Sequence, residues 1–256
     1  MNPEKFAFTV GIAVFVGGSI GLLLHRLLPE KHLIGGGKDM VGAVVGLFTL
    51  LSALVLGLLI WTAYGVYSGQ NVAIQTLAAK VLQLDLALSD YGPGANDARA
   101  QLRKSLGKTI DEVWGSNESD ANFVANNFAA AIHNLRSRDA SLAALHPSTD
   151  AETQALAAAK ATVESIEQSR LQMSFALAAP ISIPLIVIVV AWATLLFFGY
   201  GLMSGGGATP FVAVAVGALG VASAAFLILE LSSPYSGLFR ASSVPLEQVL
   251  AVMGKE

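Results

Sequence analysis

Residues 40–91 read MVGAVVGLFTLLSALVLGLLIWTAYGVYSGQNVAIQTLAAKVLQLDLALSDY, and their pattern sets the fold. The first part, Met40 to about Ala63, is uncharged and long enough to cross the ~30 Å hydrocarbon core of a bilayer as a helix. No Asp, Glu, Lys or Arg stands between Asp39 and Lys80. Beyond the span, apolar residues recur at Ile74, Leu77, Val81, Leu84 and Leu88, in steps of 3, 4, 3 and 4. That repeat is the seam of a helix packed against other helices. Traced backward, the same face passes Gln70, Tyr67, Ala63 and Ile60. The spacing predicts one unbroken rod that begins in the membrane and continues into water. Tyr91-Gly92-Pro93-Gly94 ends it, because two glycines and a proline break the helical pattern.

Three more uncharged stretches surround this rod. Phe6–Leu24 is 19 residues without charge, too long for a signal-peptide core and without a small-residue cleavage site after it, so it reads as a retained span. Phe175–Tyr200 and Pro210–Leu231 follow later, joined by the uncharged turn Gly201–Thr209. Of the 256 residues 54% are hydrophobic and 13% charged, about half the ~25% charge of soluble domains. Mean hydropathy is +0.62. Residues 68–174 hold 21 of the 33 charges, so a water-facing insert separates two apolar regions. The fold class is therefore an all-α integral membrane protein: four transmembrane helices with a helical-bundle insert between spans two and three. Spans one and two occupy 1–67, the extramembrane four-helix bundle 68–174, spans three and four 175–231, and an amphipathic C-terminal tail 232–256. Both termini and the insert then share one side. Basic residues near the span ends are balanced across the two sides, so the positive-inside rule assigns no orientation.

Within the insert a second helix is expected over Ala95–Trp114, with Leu102, Leu106, Ile110 and Val113 inward. A third is expected from about Asp120 to Leu145. Thr149 and Glu152 form the pattern of a capping box for a fourth, whose seam runs Leu156, Ala159, Val163, Ile166, Arg170 and Met173 into span three. Ser242 or Ser243 would cap a short tail helix with Leu246, Val249 and Leu250 against membrane or bundle.

Chemistry is sparse. A net charge of −3 argues against a nucleic-acid partner. The chain has no cysteine, which excludes disulfides, thiolate metal sites and cysteine nucleophiles. His25, His32, His133 and His146 have no metal-ligand spacing, and no nucleophile motif or phosphate-binding glycine loop occurs, so no catalytic residue, metal or cofactor is expected. The spans say more. Gly17-x-x-x-Gly21 and Gly42-x-x-x-Gly46 permit close helix contact, within one chain or between copies. Pro180 and Pro184 free backbone carbonyls early in span three, as a simple kink or as a kink lining a pathway. Glu230 ends span four, either as an anchor reaching solvent or Arg240, or as an ion-pathway acid.

Several segments resemble the bestrophin-like family of bacterial and plant membrane proteins. Leu28-Pro29-Glu30-Lys31-His32-Leu33 with Lys38-Asp39 is similar to its first signature, and Ala53–Ile60 to its second span. Leu84-Asp85, Tyr91-Gly92-Pro93, Arg99, Leu102-Arg103 and Trp114 resemble its bundle signature. Glu230-Leu231 and the run Pro234–Leu246, which includes Gly237, Arg240, Ser242 and Pro245, resemble its C-terminal signature. The family usually has an acid two residues before that proline, where this chain has Ser232, so an ion-binding role at that position does not carry over. Kinship with bestrophins implies a homo-oligomeric ion channel of anion type, a closed ring of five copies in a bacterial inner membrane, with itself and the lipid bilayer as partners. A different class, a membrane-embedded sensor or scaffold without transport, suits the same two helices entering a bundle.

Overall fold

The computed structural model describes residues 2–27, 36–115, 142–178, 183–204 and 208–253. Among them there are helices and turns and no strand. The α-helices are α1 (Pro3–Leu27), α2 (Gly36–Tyr91), α3 (Asn96–Trp114), α4 (Asp150–Ala178), α5 (Ile183–Met203), α6 (Ala208–Leu231) and α7 (Val244–Val252). Of these α1, α2, α5 and α6 are long and apolar enough to cross a membrane. The continuous helix expected from the sequence is present: α2 runs 56 residues without a break. Gly92, at φ 93°, then turns the chain into a short 3-10 turn, Pro93–Ala95.

The chain divides into two compact units, Met1–Gly65 with Pro180–Ser232, and Val66–Ala179 with Ser233–Glu256. In the first, α1 packs along α5 and α6. Its core gathers Val10, Val14, Ala193, Ala218 and Ala225. Small residues let the backbones touch. A methyl group on Gly21 would strike the Phe198 carbonyl, and one on Gly201 the Gly18 carbonyl. The Gly17–Gly21 pair thus serves packing inside the chain. Gly46 has nothing beyond its own stretch of helix within 4 Å of where a side chain would begin, among the described residues. At the end of α1, His25 Nδ1 lies 2.8 Å from the Leu202 carbonyl, so this histidine closes a helix end.

In the second unit Ile74, Leu77, Val81, Leu84 and Leu88 of α2 meet Leu102, Leu106 and Ile110 of α3 and Leu156, Ala159, Val163 and Ile166 of α4. The seams read from the sequence are buried together. Thr149 Oγ1 accepts from the Glu152 N–H at 3.2 Å, and the Glu152 carboxylate accepts from the Ser148 N–H and hydroxyl at 2.6 and 2.9 Å. The Ser148 donors hold that exposed carboxyl below its ordinary range. The expected third helix lies largely outside the described residues, as does the passage from α4 toward span three with Pro180. The third span is Pro184–Met203, later than Phe175, which belongs to α4. Pro184 stands second in α5, where its missing N–H costs no helical bond. The tail helix α7 turns Leu246 and Val249 into the core of this unit, and Met253 just after it is buried there too.

Candidate functional site

Each unit has its own candidate feature on its part of α2. In the first unit the helix is two-faced. Val45 packs against Gly199, Phe48 makes an edge-on ring contact with Trp192 at 6.0 Å, and the Thr49 hydroxyl meets the Tyr200 hydroxyl at 3.0 Å. Ser52, Leu59 and Ala63 continue this buried face. The Ser52 hydroxyl is buried without a hydrogen-bond partner among the described residues. The opposite face carries Met40, Val44, Leu47, Leu51, Leu54, Leu58 and Trp61, each 39–73% exposed and spaced by 4, 3, 4, 3, 4 and 3 residues.

In the second unit α2 carries polar side chains that pin other segments. Asp85 receives two bonds from Arg99 of α3, Nε to Oδ1 and Nη2 to Oδ2, each at 2.9 Å. Gln70 donates to the Met173 carbonyl at 3.2 Å and accepts the Tyr235 hydroxyl at 2.8 Å. Asn71 Oδ1 accepts the Ser242 N–H at 3.2 Å. Trp114 donates to the Ala241 carbonyl at 2.7 Å and stacks edge-on with Tyr235 at 6.0 Å. Lys80 places its ammonium on the Ser165 carbonyl at 3.1 Å and the Ser169 hydroxyl at 2.6 Å. Burial pushes the Tyr235 hydroxyl pKa upward, so it stays a proton donor to Gln70.

The signature residues fall into this frame unevenly. Asp85, Tyr91, Gly92 and Pro93 shape the α2–α3 corner. Pro234 is fully buried, and its carbonyl accepts the Ala241 N–H at 2.7 Å, closing a loop over Gly237 at φ 80°. Ser242 reaches Asn71, and Pro245 stands in the first turn of α7. Asp39 is exposed at the start of α2. Pro29 and His32 lie outside the described residues, and of Lys38 only its place in α2 is described. Glu230 is 3% exposed in the last turn of α6, and Arg240 is half-buried in the segment after it, in the other unit. Sequence reading missed Gln70 and Asn71 as clasp residues; two amides just past a span, on an otherwise apolar face, were the available signal. It also missed Lys80. Among the described residues no group of three His, Cys, Asp or Glu could hold a metal.

A family model for the bestrophin-like domain matches residues 12–246. Among solved structures, a crystal structure of a bacterial bestrophin homolog from Klebsiella pneumoniae, carrying a mutation, matches with a TM-score of 0.65 at 13% identity. It covers 96% of this chain and 94% of that one. No curated protein matches.

Proposed function

The chain belongs to the bestrophin-like family, and from that premise we propose that it forms a closed homo-oligomer conducting small ions across a membrane. Five copies and an anion preference follow the bestrophin analogy, and a bacterial inner membrane is the proposed location. The observation that carries the reading is the outward face of α2. Met40, Val44, Leu47, Leu50, Leu51, Leu54, Leu58 and Trp61 stay exposed along it, an apolar face about six turns long that the described helices of the chain leave uncovered. Helical geometry alone sets its spacing; what supports the reading is that copies placed around a common axis bring such a face inward together. A conduit lined in this way is a hydrophobic constriction, which passes ions only when wetted. Glu230 then serves as an anchor for the end of span four, and Pro184 as the start of a span.

The test is ion flux into liposomes containing the purified protein, with chloride and potassium measured separately. Leu54→Asn adds a polar group to the proposed lining and should raise flux severalfold. Absence of flux from wild type and Leu54→Asn alike, with the protein assembled and folded, overturns conduction in favour of the sensor or scaffold reading.

A further inference from the structure

Lys80 of the second unit carries a charge that its surroundings hold in place without neutralising. Its ammonium donates to the Ser165 carbonyl at 3.1 Å and to the Ser169 hydroxyl at 2.6 Å, two uncharged acceptors on α4. Its third N–H makes no bond, and no carboxylate pairs with it, among the described residues. Lys108 of α3, by contrast, is paired with Glu112 at 3.4 Å. Between Val66 and Ser89 the one other charge on α2 is Asp85, and Arg99 cancels it. The net charge of that stretch of α2 is therefore the charge of Lys80. The exposed acids Asp97 and Asp111 stand on α3, and Glu164 on α4. Four residues before Lys80 and three after it, its neighbours on the helix surface are Thr76 and Gln83, both exposed and uncharged. Ala79 beside it is exposed as well, and Lys80 itself is half-buried. The cation thus opens onto an uncharged strip of α2, and its partial burial leaves its field less screened than that of a fully solvated lysine.

We propose that Lys80, repeated in every copy of the oligomer, biases the conduit toward anions. Lysines arranged in a ring attract anions and repel cations, and each acts over ~8 Å at physiological ionic strength. Ser165 and Ser169 orient the ammonium but bring no counter-charge, which is the arrangement such a role needs. The inference rests on ion conduction by the homo-oligomer and adds the residue that sets its preference.

Current through the purified full-length protein in a planar bilayer, under a potassium chloride gradient, tests it. The potential at which net current vanishes gives the chloride-to-potassium permeability ratio. Lys80→Gln should lower that ratio by roughly three- to tenfold, what a unit charge about 4 Å from a passing ion is worth in water. Lys80→Arg should keep the ratio, since it keeps the charge. Ser169→Asp leaves the lysine in place and sets a carboxylate on its ammonium, so it should lower the ratio as Lys80→Gln does. It carries the test should Lys80→Gln assemble poorly. A ratio unchanged by Lys80→Gln and Ser169→Asp while current flows overturns the proposal and leaves conduction standing. So does a ratio that Lys80→Arg lowers as far as Lys80→Gln, which would make the lysine a packing residue. No current from folded, assembled wild type overturns conduction and the proposal together.

Discussion

Asp85 on α2 and Arg99 on α3 meet as a two-pronged pair, with both nitrogen–oxygen distances at 2.9 Å and the carboxylate almost wholly enclosed. The guanidinium fork matches the carboxylate in both length and plane, which fixes the corner where the rod ends. Removing either partner leaves a buried charge without its complement. Arg99→Ala should cost roughly 3 kcal/mol, the low end for a buried pair because the arginine is partly open to water. Asp85→Leu together with Arg99→Met should cost less than the sum of the single changes, read by a double-mutant cycle of thermal unfolding in detergent.

Tyr235 and Gln70 give a pH signature. The tyrosine hydroxyl pKa is raised above its ordinary value of ~10 by burial, so the folded state favours the protonated form. Its contribution is complete below pH ~10 and is lost as pH climbs above that value. Melting temperature should therefore fall more steeply above pH ~10 in wild type than in Tyr235→Phe. At neutral pH Tyr235→Phe should be less stable by about 1–3 kcal/mol, because the Gln70 oxygen is left buried without a donor.

Ser52 should behave in the opposite sense. Its hydroxyl is enclosed on α2 and makes no hydrogen bond among the described residues. Ser52→Ala removes an unpaired polar group without leaving a vacant partner, so stability should stay level or rise by up to ~1 kcal/mol. A clear loss of stability or of ion flux would show that the hydroxyl has a partner in the assembled protein.

The glycines separate packing within the chain from packing between copies. Gly21→Ala should destabilise the single chain by about 1–3 kcal/mol, since the new methyl meets the Phe198 backbone, which cannot swing aside. Gly46→Ala meets nothing beyond its own helix among the described residues. It should leave a detergent-dispersed monomer unaffected and weaken assembly only where another copy covers that face, as a shift in oligomer mass will report.

The helical seams were legible because a packed helix repeats its apolar residues with a fixed period. Ile74 to Leu88 and Leu156 to Ile166 are buried as the spacing requires. Followed back into the membrane the register drifts: Leu59 is buried where a strict heptad points to Ile60. A straight helix at 3.6 residues per turn slips ~20° per heptad against a 3.5 repeat, and two heptads displace the inward position by ~40°, a little under half a residue and enough to favour Leu59. What the sequence could not supply were pairings at long range. Tyr235 reaches Gln70 across 165 positions and Trp114 reaches Ala241 across 127. No local period encodes either bond. The glycine motifs were legible as close-contact surfaces, but the choice between an internal partner and a second copy depends on which helix arrives, which the spacing of Gly17–Gly21 and Gly42–Gly46 does not contain.

The loop closed by Pro234 and Ala241 has a practical consequence. Both of its ends are held, by the carbonyl-to-amide bond between them and by Trp114 on Ala241, while Leu238 at its tip is 79% exposed. Lengthening a loop whose ends are already fixed costs little, about 0.6 kcal/mol for each doubling of its length. A short epitope inserted between Leu238 and Phe239 should therefore leave the fold intact. Antibody access to it in sealed cells, before and after permeabilisation, would give the sidedness that the balanced basic residues leave open.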